Sequence, residues 1–506
     1  MNRHRFPAVT NTSTARPSRT RSAWAAAAGA ALFVVAGCAG QAPYEPVSQA
    51  TPAAWTLGTM DNGADASKVE EPWWTVLHDP AIDTLVAAAM GSSPTLAQAV
   101  ARLDEAQATV RSAGAARGPS VSGSADAGRS RTAATPSSPA TISNNASIGL
   151  SLSWELDLWG RLRESGNAAS RRLDARTFDA ESARLSLAAQ VADGVLDLRA
   201  CHYSLDTRAH DIASREKQLA QTRRRTSVGY AAPVEEARSL SSLASAQTDF
   251  ISQRQLCAQT TNSLVALTGE SATTVQRLVS RTAAPRSVGS AEAPVDPIVG
   301  SDPDDVIPSP PPVALRLPAE ILAAHPSVAS AERNVAAAWA DIAVARADRL
   351  PRIDLGAALG GQWLQVAGST LRSATWSLGP ALSVPVFDGG SGSAAVQGYE
   401  ARYRGAVGTL QSTVRTTVQN VEDALAAQQS AQERSLSSRT AADAALKALT
   451  ASEAQWRAGS ISLFELEDAR RSFARAQESA ITAARDRAQS WVGLVKATGN
   501  SINRNL

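Results

Sequence analysis

Two stretches of this chain, about 162–228 and 392–458, each run 67 residues without a proline and with apolar residues at helical spacing. An α-helix rises about 1.5 Å per residue, so each stretch predicts a helix about 100 Å long. No single globular core covers such a length. It demands a coiled coil or a tube in which helices cover one another. In the first stretch, Val191, Val195, Leu198, Leu205, Ile212 and Leu219 form a heptad-like stripe, and Val421 and Leu425 repeat its first two positions in the second. Alanine fills many of the remaining positions, which permits close helix approach and favours helix. Each stretch ends at a glycine, Gly229 or Gly459, as helix C-termini often do. A returning helix follows each, about 233–268 and 462–498.

The matching lengths reflect an internal repeat. Ser93-Pro94-Thr95-Leu96-Ala97 recurs as His325-Pro326-Ser327-Val328-Ala329, and Pro119 recurs as Pro351, both at an offset of 232. Gly160, Gly229 and Ala246-Gln247 recur as Gly390, Gly459 and Ala476-Gln477 at an offset of 230. The chain therefore divides into a leader (1–37), an N-terminal segment (38–92), a first repeat (93–270), a linker or equatorial segment (271–315) and a second repeat (316–500). The stretch from Ser280 to Pro312, rich in Pro, Ser and Asp, reads as a surface linker.

Each repeat opens with an Ala-rich helix after a proline, about 95–116 and 327–349. Strands follow. From Ile148 to Leu158 every even position is apolar and every odd one small or polar, the period-two mark of a half-exposed strand. Trp376 to Val386 is its less regular counterpart. Weaker strands lie near 119–130 and 351–366, and Pro136 and Pro139 mark the turn between Thr132 and Thr141. Four strands with an apolar face suit a membrane barrel, yet four cannot close one, and open edges are forbidden in lipid. The chain must pool its strands with copies of itself. The competing reading is a soluble hairpin decoration on a coiled-coil lipoprotein.

The leader assigns a compartment. Residues 1–37 carry five arginines and no acid, so subtracting them from the formal net charge of +2 leaves −3. Nothing in the charge of the body suggests nucleic-acid binding. An apolar run from Ala23 to Val35 is too short to span a bilayer and ends in Val35-Ala36-Gly37-Cys38. Small residues before a cysteine resemble the bacterial lipobox, in which the cysteine is acylated and becomes the new N-terminus; the plain alternative is an ordinary signal peptide. Diacylglycerol and palmitate on Cys38 would anchor the chain stably, since each buried CH₂ contributes about 0.8 kcal/mol. Ala39 after the cysteine, rather than aspartate, favours the outer membrane by resemblance to bacterial sorting rules.

Three segments carry a family resemblance. Ser153-Trp154-Glu155-Leu156-Asp157-Leu158-Trp159-Gly160-Arg161 resembles a family motif at the end of the second strand, and Val384-Pro385-Val386-Phe387-Asp388-Gly389-Gly390 resembles its partner. Leu317-Pro318-Ala319-Glu320-Ile321-Leu322, His325-Pro326-Ser327-Val328 and Ala331-Glu332 are similar to a third, departing at His325, Ser327 and Val328 where Arg, Asp and Ile are usual. The family is that of the outer membrane factors (TolC/OprM-like), in its lipoprotein subgroup with NodT-type proteins, over about Trp73 to Thr498. The resemblance implies an α+β membrane protein: a trimeric 12-stranded β-barrel, four strands per chain, continued by a long antiparallel α-helical periplasmic barrel. It implies a passive outer-membrane duct for small toxic compounds, with a periplasmic adaptor and an inner-membrane transporter as partners. The alternative is a coiled-coil periplasmic adaptor or structural outer-membrane lipoprotein without a pore.

The candidate sites are few. Leu463 to Arg471 resembles the family segment just after the second hairpin tip, where an aspartate faces the lumen; that role carries over to Asp468. Glu465 lies three residues earlier on the same helix face. With Arg457, or the Arg223–Arg225 cluster, across neighbouring hairpins, they would form a periplasmic gate; otherwise these are solvated turns. Cys201 and Cys257 lie equally far from Gly229 on antiparallel helices. They are either a disulfide or two small buried residues. The second repeat has Ala431 and Arg487 there. His202 and His210 sit on one helix without a completing ligand, so no metal site is expected. No P-loop, Gly-x-Ser-x-Gly elbow or nucleophile system occurs, so neither an enzyme nor a cofactor is expected.

Overall fold

Both long proline-free stretches are single helices of 67 residues, Arg161–Ser227 and Ser391–Arg457. The computed structural model describes residues 43–48, 51–56, 72–136, 139–281, 306–311 and 318–499. After a 3-10 turn at Trp73–Leu77 come α1 (Pro80–Ser92) and α2 (Pro94–Ala115), then β1 (Ser120–Thr132) and β2 (Thr141–Leu156). Next are α3 (Arg161–Ser227), α4 (Pro233–Thr268) and α5 (Ala272–Arg281). The second half repeats the order: α6 (Pro318–Ala324), α7 (Pro326–Ala347), β3 (Arg352–Val366), β4 (Ser369–Ser383), α8 (Ser391–Arg457) and α9 (Leu463–Ala497). The repeat extends to lengths: α2 and α7 both have 22 residues.

The described chain forms two units. One, residues 114–166 and 340–399, holds a four-stranded antiparallel sheet in the order β1-β2-β3-β4. Its edges, β1 and β4, have no outer neighbour among the described residues. Two strands are longer than their sequence pattern announces. β2 starts at Thr141 rather than 148, because the polar run Thr141–Ser147 is hydrogen-bonded to β1 and, from Ser143, to β3. β4 starts at Ser369 and ends at Ser383 rather than running from 376 to 386, because it follows β3 out of a two-residue turn, Ala367-Gly368. Pairing with a neighbour overrides the weak alternation there. Both hairpin turns lie at one end of the sheet. At the other end the strands join α2, α3, α7 and α8.

The second unit contains the remaining described helices. Its main core packs Trp73, Trp74, Leu77 and the inner face of α1 (Ile82, Leu85, Val86, Ala89) against Val191, Val195, Leu196 and Leu198 of α3. Leu264 of α4, Val275 and Val279 of α5, and Ile481, Trp491 and Val492 of α9 complete it. Trp73 meets Trp74 edge-on at 5.7 Å and Trp491 at 6.0 Å. Of the heptad stripe, Val191, Val195, Leu198 and Leu219 are buried in the first repeat and Leu205 and Ile212 half-buried, and Val421 and Leu425 are buried in the second. The segment read as a surface linker returns at 306–311 with Ile307 fully buried in this core.

The α3–α4 and α8–α9 hairpins turn alike. Tyr230 N–H donates to the Arg225 carbonyl (2.8 Å) and Gly229 N–H to that of Thr226 (3.1 Å); Ser460 and Gly459 donate likewise to Gln455 and Trp456, both at 2.9 Å. These are the paired bonds of a Schellman cap, which needs a left-handed residue. Gly229 (φ 81°) and Gly459 (φ 74°) supply it without a Cβ penalty.

Candidate functional site

The sheet has two unlike faces. Partners across the strands share a face, so Leu152 lies in one row with Val121, Ala357 and Leu378. Leu150 shares the next row with Leu359 and Trp376, and Ile148 the one after with Ala125 and Ala374. Ala146, Trp363 and Ala127 follow, and towards the helix end Trp154 and Leu156 join Leu355, Ile353 and Leu382. Much of this face is bare in one chain: Trp376 is 80% exposed and Leu378 68%. The opposite face is small and polar: Ser122, Ser124, Ser147, Ser151, Gly360, Ser377 and Thr375 with their neighbours. An isolated soluble chain rarely leaves an apolar surface of this extent uncovered.

Below the sheet, the resembling segments start the long helices. Both Asp157 oxygens accept backbone N–H bonds, from Leu162 (3.0 Å) and Arg163 (2.8 Å), at the N-terminus of α3. Asp388 does the same at α8, from Gly390 (2.8 Å) and Gly392 (2.7 Å), which holds its carboxyl below the usual carboxylate range. The aspartates therefore start helices by capping them. Glu155 takes the Arg161 guanidinium in a fork, Nε to Oε1 at 2.9 Å and Nη2 to Oε2 at 2.6 Å, and Trp154 Nε1 donates to the Arg117 carbonyl at 3.0 Å. The departing residue His325 caps α7 instead: its Nδ1 accepts the Ser327 N–H at 3.2 Å.

The tip residues fall into separate contacts within one chain. Glu465 closes a capping box with Ser462, accepting the Ser462 backbone N–H at 2.7 Å while Ser462 Oγ accepts the Glu465 N–H at 3.2 Å. The Ser462 N–H holds the exposed Glu465 carboxyl below its ordinary range. Asp468 is 71% exposed and paired with Arg471 at 3.2 Å. Arg457 pairs with Glu453 of its own helix at 3.6 Å, not with Asp468 or Glu465. Arg223 meets Glu236 at 3.0 Å across the first hairpin. Val228, Tyr230, Val234 and Phe464 are exposed around the two turns, with Arg471 stacked 5.9 Å over the Phe464 ring.

Sequence reasoning missed the cluster just behind. Arg470 reaches Glu467 (3.0 Å), Glu453 of α8 (3.4 Å) and Ser214 Oγ of α3 (3.1 Å), tying three helices together. Burial pushes the Glu467 carboxyl up, against the pull of Arg470. The signal was present in the spacing: 467 and 470 are three apart, on the face that carries Leu466 and Phe473 inward. Also missed was Asp79, which caps α1 through Ala81 N–H (2.9 Å) and Ile82 N–H (3.3 Å) and is buried in an ion pair with Arg199. Arg199 Nη2 donates to Asp79 Oδ1 at 2.8 Å.

Cys201 and Cys257 are bonded in the structure, their Cα atoms 5.6 Å apart. His202 is half-buried, which lowers its pKa, and the His210 ring bonds the Asp206 carbonyl at 2.7 Å. Among the described residues no group of three or more His, Cys, Asp and Glu is placed to hold a metal ion, and no helix is long and apolar enough to cross a membrane. Cys38 and the leader lie outside the described residues.

Comparison with known proteins agrees with this geometry. The family model described as outer membrane efflux protein matches residues 85–270 and 317–500, the two repeats. The chain is 29% identical over 457 residues to the pyoverdine export outer membrane protein OpmQ of Pseudomonas putida, covering 89% of this chain and 92% of the relative. It is 28% identical to the outer membrane protein OprJ of Pseudomonas aeruginosa, covering 84% and 85%. A crystal structure of a membrane protein from Pseudomonas aeruginosa superposes with a TM-score of 0.73 at 25% identity, over 91% of this chain and all of that one.

Proposed function

Because the chain belongs to the outer membrane efflux protein family and is an outer-membrane efflux channel component, we propose that three copies close one 12-stranded barrel. On this reading it is the passive exit duct for small toxic compounds, fed by an inner-membrane transporter through a periplasmic adaptor. One observation carries the assembly: a four-stranded sheet with an exposed apolar face and two free edges. Edges in lipid leave backbone groups without partners, so only a closed ring is stable there. The run from Ala146 to Leu156 extends about 36 Å at roughly 3.3 Å per residue. Tilted by about 45°, it covers the roughly 25 Å apolar band of an outer-membrane barrel. The polar Ser/Gly face then lines the lumen.

The pore-less adaptor or lipoprotein reading predicts neither conductance nor a membrane-embedded sheet. The test is the full chain, purified in detergent and added to planar bilayers, with its mass measured in parallel. Long-lived unitary conductance from a particle of three chains is expected. A monomer, or a trimer without conductance, overturns the duct.

Cys38, following the apolar leader, is the acylation site on this reading, and the acyl chains join the barrel as a second anchor. Cys38→Ala should abolish labelling by palmitate and leave the precursor uncleaved; label retained in the variant defeats the assignment. At the periplasmic mouth, Asp468 and Glu465 of three copies would set six carboxylates around the opening, favouring cations. Arg470, bound to Glu467, Glu453 and Ser214, is the latch that keeps α9 against α8 and α3.

A further inference from the structure

The apolar face of the sheet carries charge at one end only, and all of it is arginine. Arg129 lies in a row with Asn144, Gln365 and Thr370; Arg131 lies beside Ile142, one row further out. Arg372 lies one row further in, directly beside Trp363. All three are exposed, near the hairpin turns and away from the helices. Every acid of the sheet (Asp126, Glu155 and Asp354) is on the opposite face. Among the described residues none of the three arginines makes an ion pair.

A charge on the lipid side of a barrel costs about 2–4 kcal/mol at the midplane and roughly 0–1 near the interface. Placement at the turn end therefore costs little, but solvation alone does not explain three unpaired cations of one sign. The guanidinium is a fork of donors matched to phosphate oxygens, and it is more weakly hydrated than an ammonium. Trp363 at the same level suits the boundary between acyl chains and headgroups. We propose that Arg129, Arg131 and Arg372 form a binding surface for the phosphorylated glycolipid headgroups of the outer leaflet.

This rests on the barrel reading, in which the turn end faces outward. In the closed ring, β4 of one copy adjoins β1 of the next. Arg372 then stands at the same seam as the neighbouring copy's Arg129 and Arg131. The site is split between chains, once at each seam, and headgroups there bridge the joints of the barrel.

The test uses the full-length trimer in detergent, with lipid A, dephosphorylated lipid A and inorganic phosphate as probes, read by native mass spectrometry. Lipid A should bind the wild type, and binding should weaken by about five-fold for each arginine removed in R129Q/R131Q/R372Q. Dephosphorylated lipid A should bind the wild type no better than lipid A binds the triple variant. Equal retention of the two lipids, an unaffected triple variant, or inorganic phosphate binding as tightly as lipid A would each overturn the proposal. If the triple variant fails to assemble, R372Q alone and R129Q/R131Q carry the same comparison. Conductance separates the two claims. A wild type that does not conduct removes the channel reading and this site with it; normal conductance without phosphate selectivity removes this site alone.

Discussion

Asp79 and Arg199 are nearly inaccessible to water and hold one another while Asp79 also caps α1. A buried pair adds little to stability over apolar packing, yet removing one partner strands a charge at about 3–5 kcal/mol. Asp79→Ala should therefore lower the melting temperature well beyond the loss of a cap, and Arg199→Met with Asp79→Ala should recover part of the loss. Additive effects in that double variant would show that the two do not act as a pair. Asp193 on α3 is a different case. It is half-buried, one carboxylate oxygen has no hydrogen-bond partner, and burial, reinforced by Asp197 and opposed by Lys496, raises its pKa to about 7. The unfolded chain loses this proton near the ordinary value of 3.8, whereas the folded chain keeps it to about 7. Folding is thus penalised increasingly as pH rises through that window, and fully above it. Asp193→Asn should stabilise the helical unit more at pH 8 than at pH 5. Melting curves showing an equal gain at both would contradict this.

At the scale of elements, the bond between Cys201 and Cys257 staples α3 to α4 in the first repeat alone, across a sequence separation of 56. Closing a loop of that length stabilises by about 4 kcal/mol in the chain-entropy model. Reductant should lower the melting temperature of the wild type and leave C201S/C257S unmoved. Two free thiols at these positions in a non-reducing labelling experiment would exclude the staple. The helices themselves were legible without coordinates, because a proline-free 67-residue run, a terminal glycine and a repeated heptad stripe are local signals. The outer half of β2 was not. Ser143-Asn144-Asn145 has little strand propensity of its own, and it is a strand because it exchanges ladder bonds with β1 and β3. Capping by Asp157 and Asp388 likewise depends on bends that bring each carboxylate back over the first helical N–H groups.

On the scale of the assembled duct, the proposed gate lies at the periplasmic mouth. Glu465→Gln with Asp468→Asn removes two charges per chain while retaining side-chain shape and the Ser462 cap. Cation preference should weaken, and conductance should rise if the carboxylates also pin the tips through arginines of adjacent hairpins. Unchanged conductance and ion preference would remove the gate from these residues and leave the duct intact. Exposed pairs contribute only about 0–1 kcal/mol each, so the effect depends on three-fold repetition.

The repeat, the long helical hairpins and the four strands are written in the linear pattern of residues, and the need for further copies follows from the strand count. These rest on periodicity and chain length, which a linear string records in full. Which charged residues meet across helices is fixed by packing in three dimensions. Glu465 and Asp468 sit three apart in the chain, yet one closes a helix cap and the other pairs with Arg471. Behind them, Arg470 ties α9 to Glu453 of α8 and Ser214 of α3. The contacts that cross from helix to helix depend on how each helix is rotated about its axis, which packing fixes and no single stretch of sequence encodes.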